Sequence, residues 1–411
     1  MSESSAAIAL PRPLSARRRL PHAVSFAAVA AIAVLFLAAS SAPSPLYIVY
    51  QQNWHFSAET LTAVFAVYVL GLIASLLVLG ALSDHIGRRP VLASAIALEA
   101  LSLVLFLVAG DVSVLFIARL VQGIATGAAI TTLSATLVDL DPPHAPGRAG
   151  VVNGIAPTTG LALGALGCGA LVQFAPAPTH LVFALLLAGM VLAAVIVAVM
   201  PETSARRPGG MRSLVPRLGV PARLRPGFFA LVPIMIAGWS LGGLYLSLGP
   251  SVAAGLFGLT NHFIGGLVVT LLCATGAVTT FGLRKRPAAQ VLWAGTVLLA
   301  AGIAITLVAM SGGSVPVGIA GTIVAGMGFG ASALATFGTL ARLSAPAERG
   351  ELFAVAYVVS YLAFSVPAVV AGFAATAFGL KPTAIVYASV LLVLAAAAVV
   401  VELVRTRRAA A

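Results

Sequence analysis

Apolar residues fall along this chain in long unbroken runs, parted by short polar, charged or Gly/Pro-containing links. A helix that crosses a bilayer needs about 20 mostly apolar residues. Strands of a transmembrane barrel alternate in segments of about ten. The continuity of the runs therefore predicts helices. They are expected at 22–49, 59–82, 90–109, 112–137, 148–173 and 178–200, then at 228–250, 262–283, 288–310, 315–341, 350–377 and 382–404. These are spans 1 to 12. Residues 201–227 form the one long polar segment inside the chain, so they read as a linker between a first half (22–200) and a second half (228–404), with tails at 1–21 and 405–411.

The charges support this count. With the N-terminus placed in the cytoplasm, every Lys and Arg except Arg119 and Lys381 falls on the cytoplasmic side, as the positive-inside rule requires. A wrong number of spans would scramble that parity. The Arg17-Arg18-Arg19 stretch before span 1 could open a signal peptide, but the run that follows is too long and is one of many.

Composition narrows the class. The chain is 60% hydrophobic and only 8% charged, with a mean hydropathy of +1.09, far from a soluble domain. The net charge of +12 is a topology signal and does not point to nucleic acid. Cys168 and Cys273 both lie in apolar runs without metal-ligand company, so neither a metal nor a disulfide framework is expected. No nucleotide loop or metal spacing occurs, and no cofactor is implied.

Against that apolar background, Gly80 to Pro90 (G-A-L-S-D-H-I-G-R-R-P) stands out as a charged hairpin between spans 2 and 3. A weaker copy, Gly276 to Pro287, follows span 8 and sets Thr280 where the first has Asp84. Ala145-Pro146-Gly147-Arg148 before span 5 is matched by Ala345-Pro346-Ala347-Glu348-Arg349 before span 11. A two-fold repeat of six helices places a substrate site between the halves and permits alternating access.

With Gly80, Leu82, Asp84, Gly87, Arg88, Arg89 and Pro90 in place, the chain resembles the major facilitator superfamily over its whole length. Arg119, Gln122, Gly123 and Gly127 resemble the family's span-4 signature, and Pro201-Glu202-Thr203 that of its drug-efflux members. The antiporter signature on span 5 is partial: Gly154, Pro157, Gly160 and Gly164 fit as a hinge, but Ala156 precedes the proline and Gly160 has no adjacent glycine. The resemblance implies an all-α membrane protein of twelve transmembrane helices in two pseudo-symmetric six-helix bundles. It also implies a monomer in a bacterial inner membrane that moves a small-molecule substrate, with protons as the coupling ion.

In the family, an acid and arginine of this hairpin join a span-4 acid in a conformational latch. The resemblance assigns that role to Gly80, Asp84, Gly87, Arg88, Arg89 and Asp139, with Asp141 as the alternative acid. Arg119 lies about 12 Å into span 4. A charge at that depth marks function, unless the side chain snorkels to the interface. Gln122 shares its face. Glu99, near the middle of span 3, is either a protonated acid packed between helices or a proton relay. Span 1 has no acid, a departure from several proton antiporters of the family. The resemblance further suggests Ser44, Tyr47, Tyr68, Asn153, Trp239, Tyr245, Thr336, Tyr357 and Tyr361 as cavity lining. Such a lining suits apolar or amphipathic cargo and cation–π contact. Proton-coupled efflux of drugs or metabolites is the expected function. Uptake of a sugar or similar metabolite by symport or facilitation is the alternative, and a non-transporting receptor is the alternative of another class.

Overall fold

The computed structural model describes residues 20–410 except 217, 346 and 347, with side chains as far as Val404. The basic N-terminal tail up to Arg19, Arg217 of the linker, and the Pro346-Ala347 part of the span-11 repeat lie outside the described residues. Among the described residues, twelve helices are long and apolar enough to cross a membrane: His22–Trp54, Ala58–Leu79, Arg88–Leu107, Val112–Asp139, Arg148–Phe174, Leu181–Val199, Ala222–Ser247, His262–Leu283, Ala288–Gly312, Val315–Leu343, Arg349–Phe378 and Leu380–Val404. They form two six-helix bundles. An even number of crossings in each bundle puts the linker and both chain ends on one face, the linker side; the opposite face is the far side.

Three expected boundaries shift. Span 1 reaches Trp54 but breaks at Ala42 into His22–Ser41 and Pro43–Trp54. Span 7 ends as a helix at Ser247 and resumes as the short helix Gly249–Phe257. The last helix continues to Ala410.

The breaks follow from proline chemistry. Proline has no N–H, so the carbonyl four residues earlier loses its helical partner, and in a bilayer another donor must serve it. Pro43 frees the Ala39 carbonyl, which accepts from Gln122 Nε2 of span 4 at 3.1 Å. Pro250 frees that of Leu246, which accepts from Ser44 Oγ of span 1 at 2.5 Å. Pro367 frees that of Ala363, which accepts from Ser240 Oγ of span 7 at 2.8 Å.

Small residues let the helices meet backbone to backbone. A Cβ on Gly123 would lie 2.0 Å from the Tyr68 carbonyl oxygen, and one on Gly127 2.6 Å from that of Leu72. In the second half, Gly326 and Gly330 press on the Leu272 and Gly276 carbonyls at 2.5 and 2.1 Å. Tyr68 therefore matches Leu272, and Leu72 matches Gly276. This corrects the repeat read from the loops. Gly276 and Thr280 lie inside span 8, where Thr280 Oγ1 donates to the Gly330 carbonyl at 3.2 Å. Thr280 is not the counterpart of Asp84. The short helix Leu82–Ile86 that carries Asp84 has no equivalent between Leu283 and Ala288.

The halves meet along spans 2 and 11 and along spans 5 and 8, around a second apolar cluster that includes Phe65, Tyr68, Leu246, Cys273, Tyr361 and Phe364. Their polar contacts gather toward the far side. Glu59 N–H donates to Thr376 Oγ1 at 3.3 Å, His262 N–H to Gln173 Oε1 at 3.1 Å, and Thr270 Oγ1 to the Ala162 carbonyl at 3.1 Å.

Adding one methyl at Gly123 or Gly330 should overpack a helix crossing and lower stability by about 1–3 kcal/mol. The same change at Gly110, which faces open space, should be neutral. Thermal unfolding of Gly123→Ala, Gly330→Ala and Gly110→Ala in detergent compares the three directly.

Candidate functional site

The broken turn of span 1 organises a buried polar network in the first half. Arg119 is 2% exposed although it carries a full charge. Its Nη1 donates to the Ser40 carbonyl at 3.0 Å and to Gln122 Oε1 at 2.5 Å. Its guanidinium lies 4.3 Å from the centre of the Tyr68 ring, a cation–π distance. Gln122 Nε2 bonds both the freed Ala39 carbonyl and Glu99 Oε1, the latter at 2.9 Å. Glu99 is fully buried, and its second oxygen has no partner among the described residues. Tyr68 donates to Ser40 Oγ at 3.1 Å, and Ser40 Oγ donates to the Phe36 carbonyl at 2.9 Å. The guanidinium thus turns inward to this turn and does not snorkel. Gln122 stands between the acid and the arginine as an amide bridge, accepting from one and donating to the other.

From Tyr68 the site crosses into the second half as an aromatic wall. Tyr361, Tyr357 and Phe353 follow one face of span 11, with ring centres 6.2 and 6.3 Å apart. Trp239 of span 7 meets Tyr361 edge-on at 5.0 Å and Phe364 at 5.9 Å. Phe337 of span 10 lies 5.1 Å from Tyr357. Trp239, Phe337 and Tyr357 are half-buried. A cavity of about 10 Å³ beside Trp239 is lined also by Thr336, whose buried hydroxyl has no partner among the described residues.

A second charged cluster closes the linker side of the first half. Arg88 joins Asp84 (Nη1–Oδ1, 2.5 Å), Asp139 (Nε–Oδ2, 3.1 Å) and Ser83 (Nη1–Oγ, 2.6 Å). Glu202 of the linker accepts the first two backbone N–H groups of span 3, Arg88 at 2.8 Å and Arg89 at 3.1 Å. A carboxylate there neutralises the positive end of the helix. Gly87 is required twice: its φ is +109°, and a Cβ would sit 2.7 Å from Glu202 Oε2. Thr203 Oγ1 donates to Asp139 Oδ2 at 2.9 Å, and Arg207 N–H to the Asp84 carbonyl at 3.0 Å. Arg89 ties span 3 to the end of span 6 through the Val197 and Ala198 carbonyls at 3.0 and 2.5 Å. Gly80 caps the C-terminal end of span 2.

A sequence profile described as Major Facilitator Superfamily matches residues 29–287. The chain belongs to the major facilitator superfamily. Solved members share its fold at low identity. A bacterial homolog of the human lysosomal transporter Spinster has a TM-score of 0.75 at 14% identity, covering 93% of this chain and 97% of that one. The nucleoside transporter NupG has a TM-score of 0.70 at 13% identity, covering 93% and 100%. The human organic anion transporter MFSD10 has a TM-score of 0.67 at 18% identity, covering 92% and 99%.

For this major facilitator chain, the structure brings Arg119, Gln122, Glu99, Tyr68, Tyr361, Tyr357, Trp239 and Thr336 toward one seam and leaves other candidates elsewhere. Tyr47 is buried within reach of the Arg119 charge, but its hydroxyl has no partner among the described residues. Ser44 is engaged with Leu246 across the halves. Asn153 bonds the Ser134 carbonyl at 3.3 Å. Tyr245 bonds Thr322 Oγ1 at 2.9 Å and faces a separate apolar cavity of about 90 Å³ inside the second bundle. On span 5, Pro157 sits within the helix, and a Cβ on Gly160 or Gly164 would lie 2.6 Å from the Val34 carbonyl oxygen or 2.1 Å from that of Ala38 on span 1. A Cβ on Gly154 would lie 3.5 Å from Thr280 of span 8.

Asp141, the alternative latch acid, instead caps span 5 by accepting from Gly147 and Ala149 N–H at 2.7 and 2.9 Å. Glu402 is a second acid buried within a span, so Glu99 is not alone in that respect. Sequence reasoning missed Ser40 and Glu202 as members of the two clusters. The signals were available: the prolines at 43 and 45 for the first, and an acid directly after span 6 for the second.

Replacing Glu202 by alanine should uncap span 3 at a cost of about 1 kcal/mol. Backbone amides of Arg88 and Arg89 should then exchange with deuterium roughly fivefold faster, while those of span 5, capped by Asp141, keep their protection.

Proposed function

We propose that this chain exports an apolar or amphipathic organic solute in exchange for protons, by alternating access of its two halves. The observation that carries the reading is the continuous path from Glu99 through Gln122, Arg119 and Tyr68 to the aromatic wall of spans 7, 10 and 11. Glu99 can take a proton on its unpartnered oxygen. The groups around it are Gln122 and Arg119 from span 4 and Tyr68 from span 2. Protonation removes the negative charge on one side of Gln122, so its amide no longer balances carboxylate against guanidinium. Arg119 keeps its bonds to Ser40 and Gln122, but the attraction of the carboxylate beyond the amide is gone. Because Tyr68 belongs to the apolar cluster joining the halves, a change at Glu99 reaches the seam where cargo would stack. The stacked rings and the lack, among the described residues, of a second buried cation along the wall suit planar, weakly charged cargo and disfavour multiply charged anions. The Arg88–Asp84–Asp139 cluster and its linker clasp then serve as the latch that holds one of the two arrangements.

The reading is tested in proteoliposomes with an imposed pH gradient and a fluorescent planar cation. The wild type should move the dye against its gradient, and a protonophore should stop it. Glu99→Gln should retain downhill exchange while losing most proton-driven accumulation. Undiminished accumulation by that variant removes Glu99 from coupling, and dye movement indifferent to the pH gradient favours a facilitator. Asp84→Asn should slow turnover at least several-fold while the protein still inserts.

A further inference from the structure

The two halves treat the positive charge of their linker-side hairpins in opposite ways. After span 2, both arginines are consumed. Arg88 is 8% exposed and bound to Asp84 and Asp139, and Arg89 is spent on carbonyls of span 6. After span 8 the acid-bearing turn is missing, and the connection is only Arg284-Lys285-Arg286-Pro287. Arg284, Lys285 and Arg286 are all exposed. Among the described residues no carboxylate forms an ion pair with any of them.

The side chains beside this triplet face hydrocarbon. On the last turns of span 8, Val278 is 72% and Phe281 48% exposed. The Arg284 guanidinium lies 3.7 Å over the Phe281 ring and bonds that residue's carbonyl. It is therefore held at the edge of the bilayer, at headgroup level, with its apolar stem on a lipid-facing ring. Trp293, one and a half turns into span 9 and 37% exposed, adds an interfacial aromatic below the same hairpin.

We infer that the span 8–9 hairpin is a binding site for the phosphodiester headgroup of an anionic phospholipid in the linker-side leaflet. Three uncompensated cations meet the phosphate while Phe281, Val278 and Trp293 accept the upper acyl chain. The occupant is a lipid and not a free anion because the site is half made of hydrocarbon-facing side chains. The hairpin of the first half offers no equivalent, since Arg88 and Arg89 already have partners. The anionic lipid therefore attaches to one rocking half only, and the site stands independently of the transport reading.

Trp293 supplies the measurement. The full chain is reconstituted in phosphatidylcholine nanodiscs containing brominated phosphatidylglycerol, and the part of its tryptophan quenching that is lost in Trp293→Phe, which leaves Trp54 and Trp239 in place, is titrated. Each basic residue near a surface is worth roughly fivefold in anionic-lipid binding. The variant Arg284→Gln/Lys285→Gln/Arg286→Gln should therefore lower the apparent affinity on the order of 100-fold. Arg206→Gln/Arg212→Gln/Arg225→Gln, which removes the same charge from the linker, should change it little. Three results overturn the site. The first is equal quenching by brominated phosphatidylcholine. The second is equal losses in the two triple variants, which would indicate a diffuse surface field. The third is complete competition by millimolar inorganic phosphate, which would indicate a small-anion site.

Discussion

A guanidinium held at depth in an apolar bundle is the constraint around which the first half is built. Removing one partner from a buried charge costs several kcal/mol, so Arg119 must be matched by acceptors that are themselves fixed. The broken turn of span 1 provides them. Pro43 cannot donate to Ala39, and the chain around Ala42 leaves carbonyls pointing at span 4 (Ala39 to Gln122, Ser40 to Arg119). The proline defect and the buried charge are each unfavourable alone. Together they answer one another in large part, with only Arg119 Nε left without a partner among the described residues, which explains why both occur at the same level of the membrane.

The same economy recurs where helices must be joined without being fused. The carbonyls freed by Pro250 and Pro367 are served by Ser44 and Ser240. Serine hydroxyls bridge short gaps, and bonds of this kind in membranes are worth only about 0.6 kcal/mol on average. The Ser44–Leu246 bond crosses between the halves, so it can be exchanged when they rock, whereas the Ser240–Ala363 bond lies within the second half and can persist. The glycine crossings of span 2 on span 4 and of span 8 on span 10 have the opposite character. Their backbones approach too closely to admit even one added methyl.

Much of the architecture was legible in the sequence because the bilayer imposes a coarse and regular pattern. Run length gave twelve helices, and charge parity gave their sidedness as an expectation. The Asp84–Arg88–Asp139 contacts were legible because their spacing is local or tied to helix ends. The repeat register was not, since glycine- and basic-rich loops align by composition while the true match lies in which glycine meets which carbonyl. Thr280 was misread for that reason. Tyr245 was misjudged because span position alone does not tell which face a side chain takes. The Gln122 bridge needed the fold: sequence puts it three residues from Arg119, but nothing local places span 3 and the broken turn of span 1 on its two other sides.

With the register corrected, the asymmetry of the halves becomes specific. Gly326 and Gly330 take the places of Gly123 and Gly127, and counting back from them puts Thr322 where Arg119 stands and Ala325 where Gln122 stands. Gly302, which a Cβ would bring within 2.2 Å of Ala325, occupies the place of Glu99. Gln122 and Glu99 are thus replaced by residues without a polar side chain, and Arg119 by Thr322, whose hydroxyl pairs with Tyr245. Two symmetric halves each burying a titratable cluster would double the desolvation cost and give a rocking motion two competing triggers. One half buries the charged network and the other presents the wall of rings, so under the proposed function the proton's site and the cargo's surface fall in different halves. The seam at Tyr68 and Tyr361 is where these meet, so the contact between spans 2 and 11 is the shortest route between the charged network and the rings.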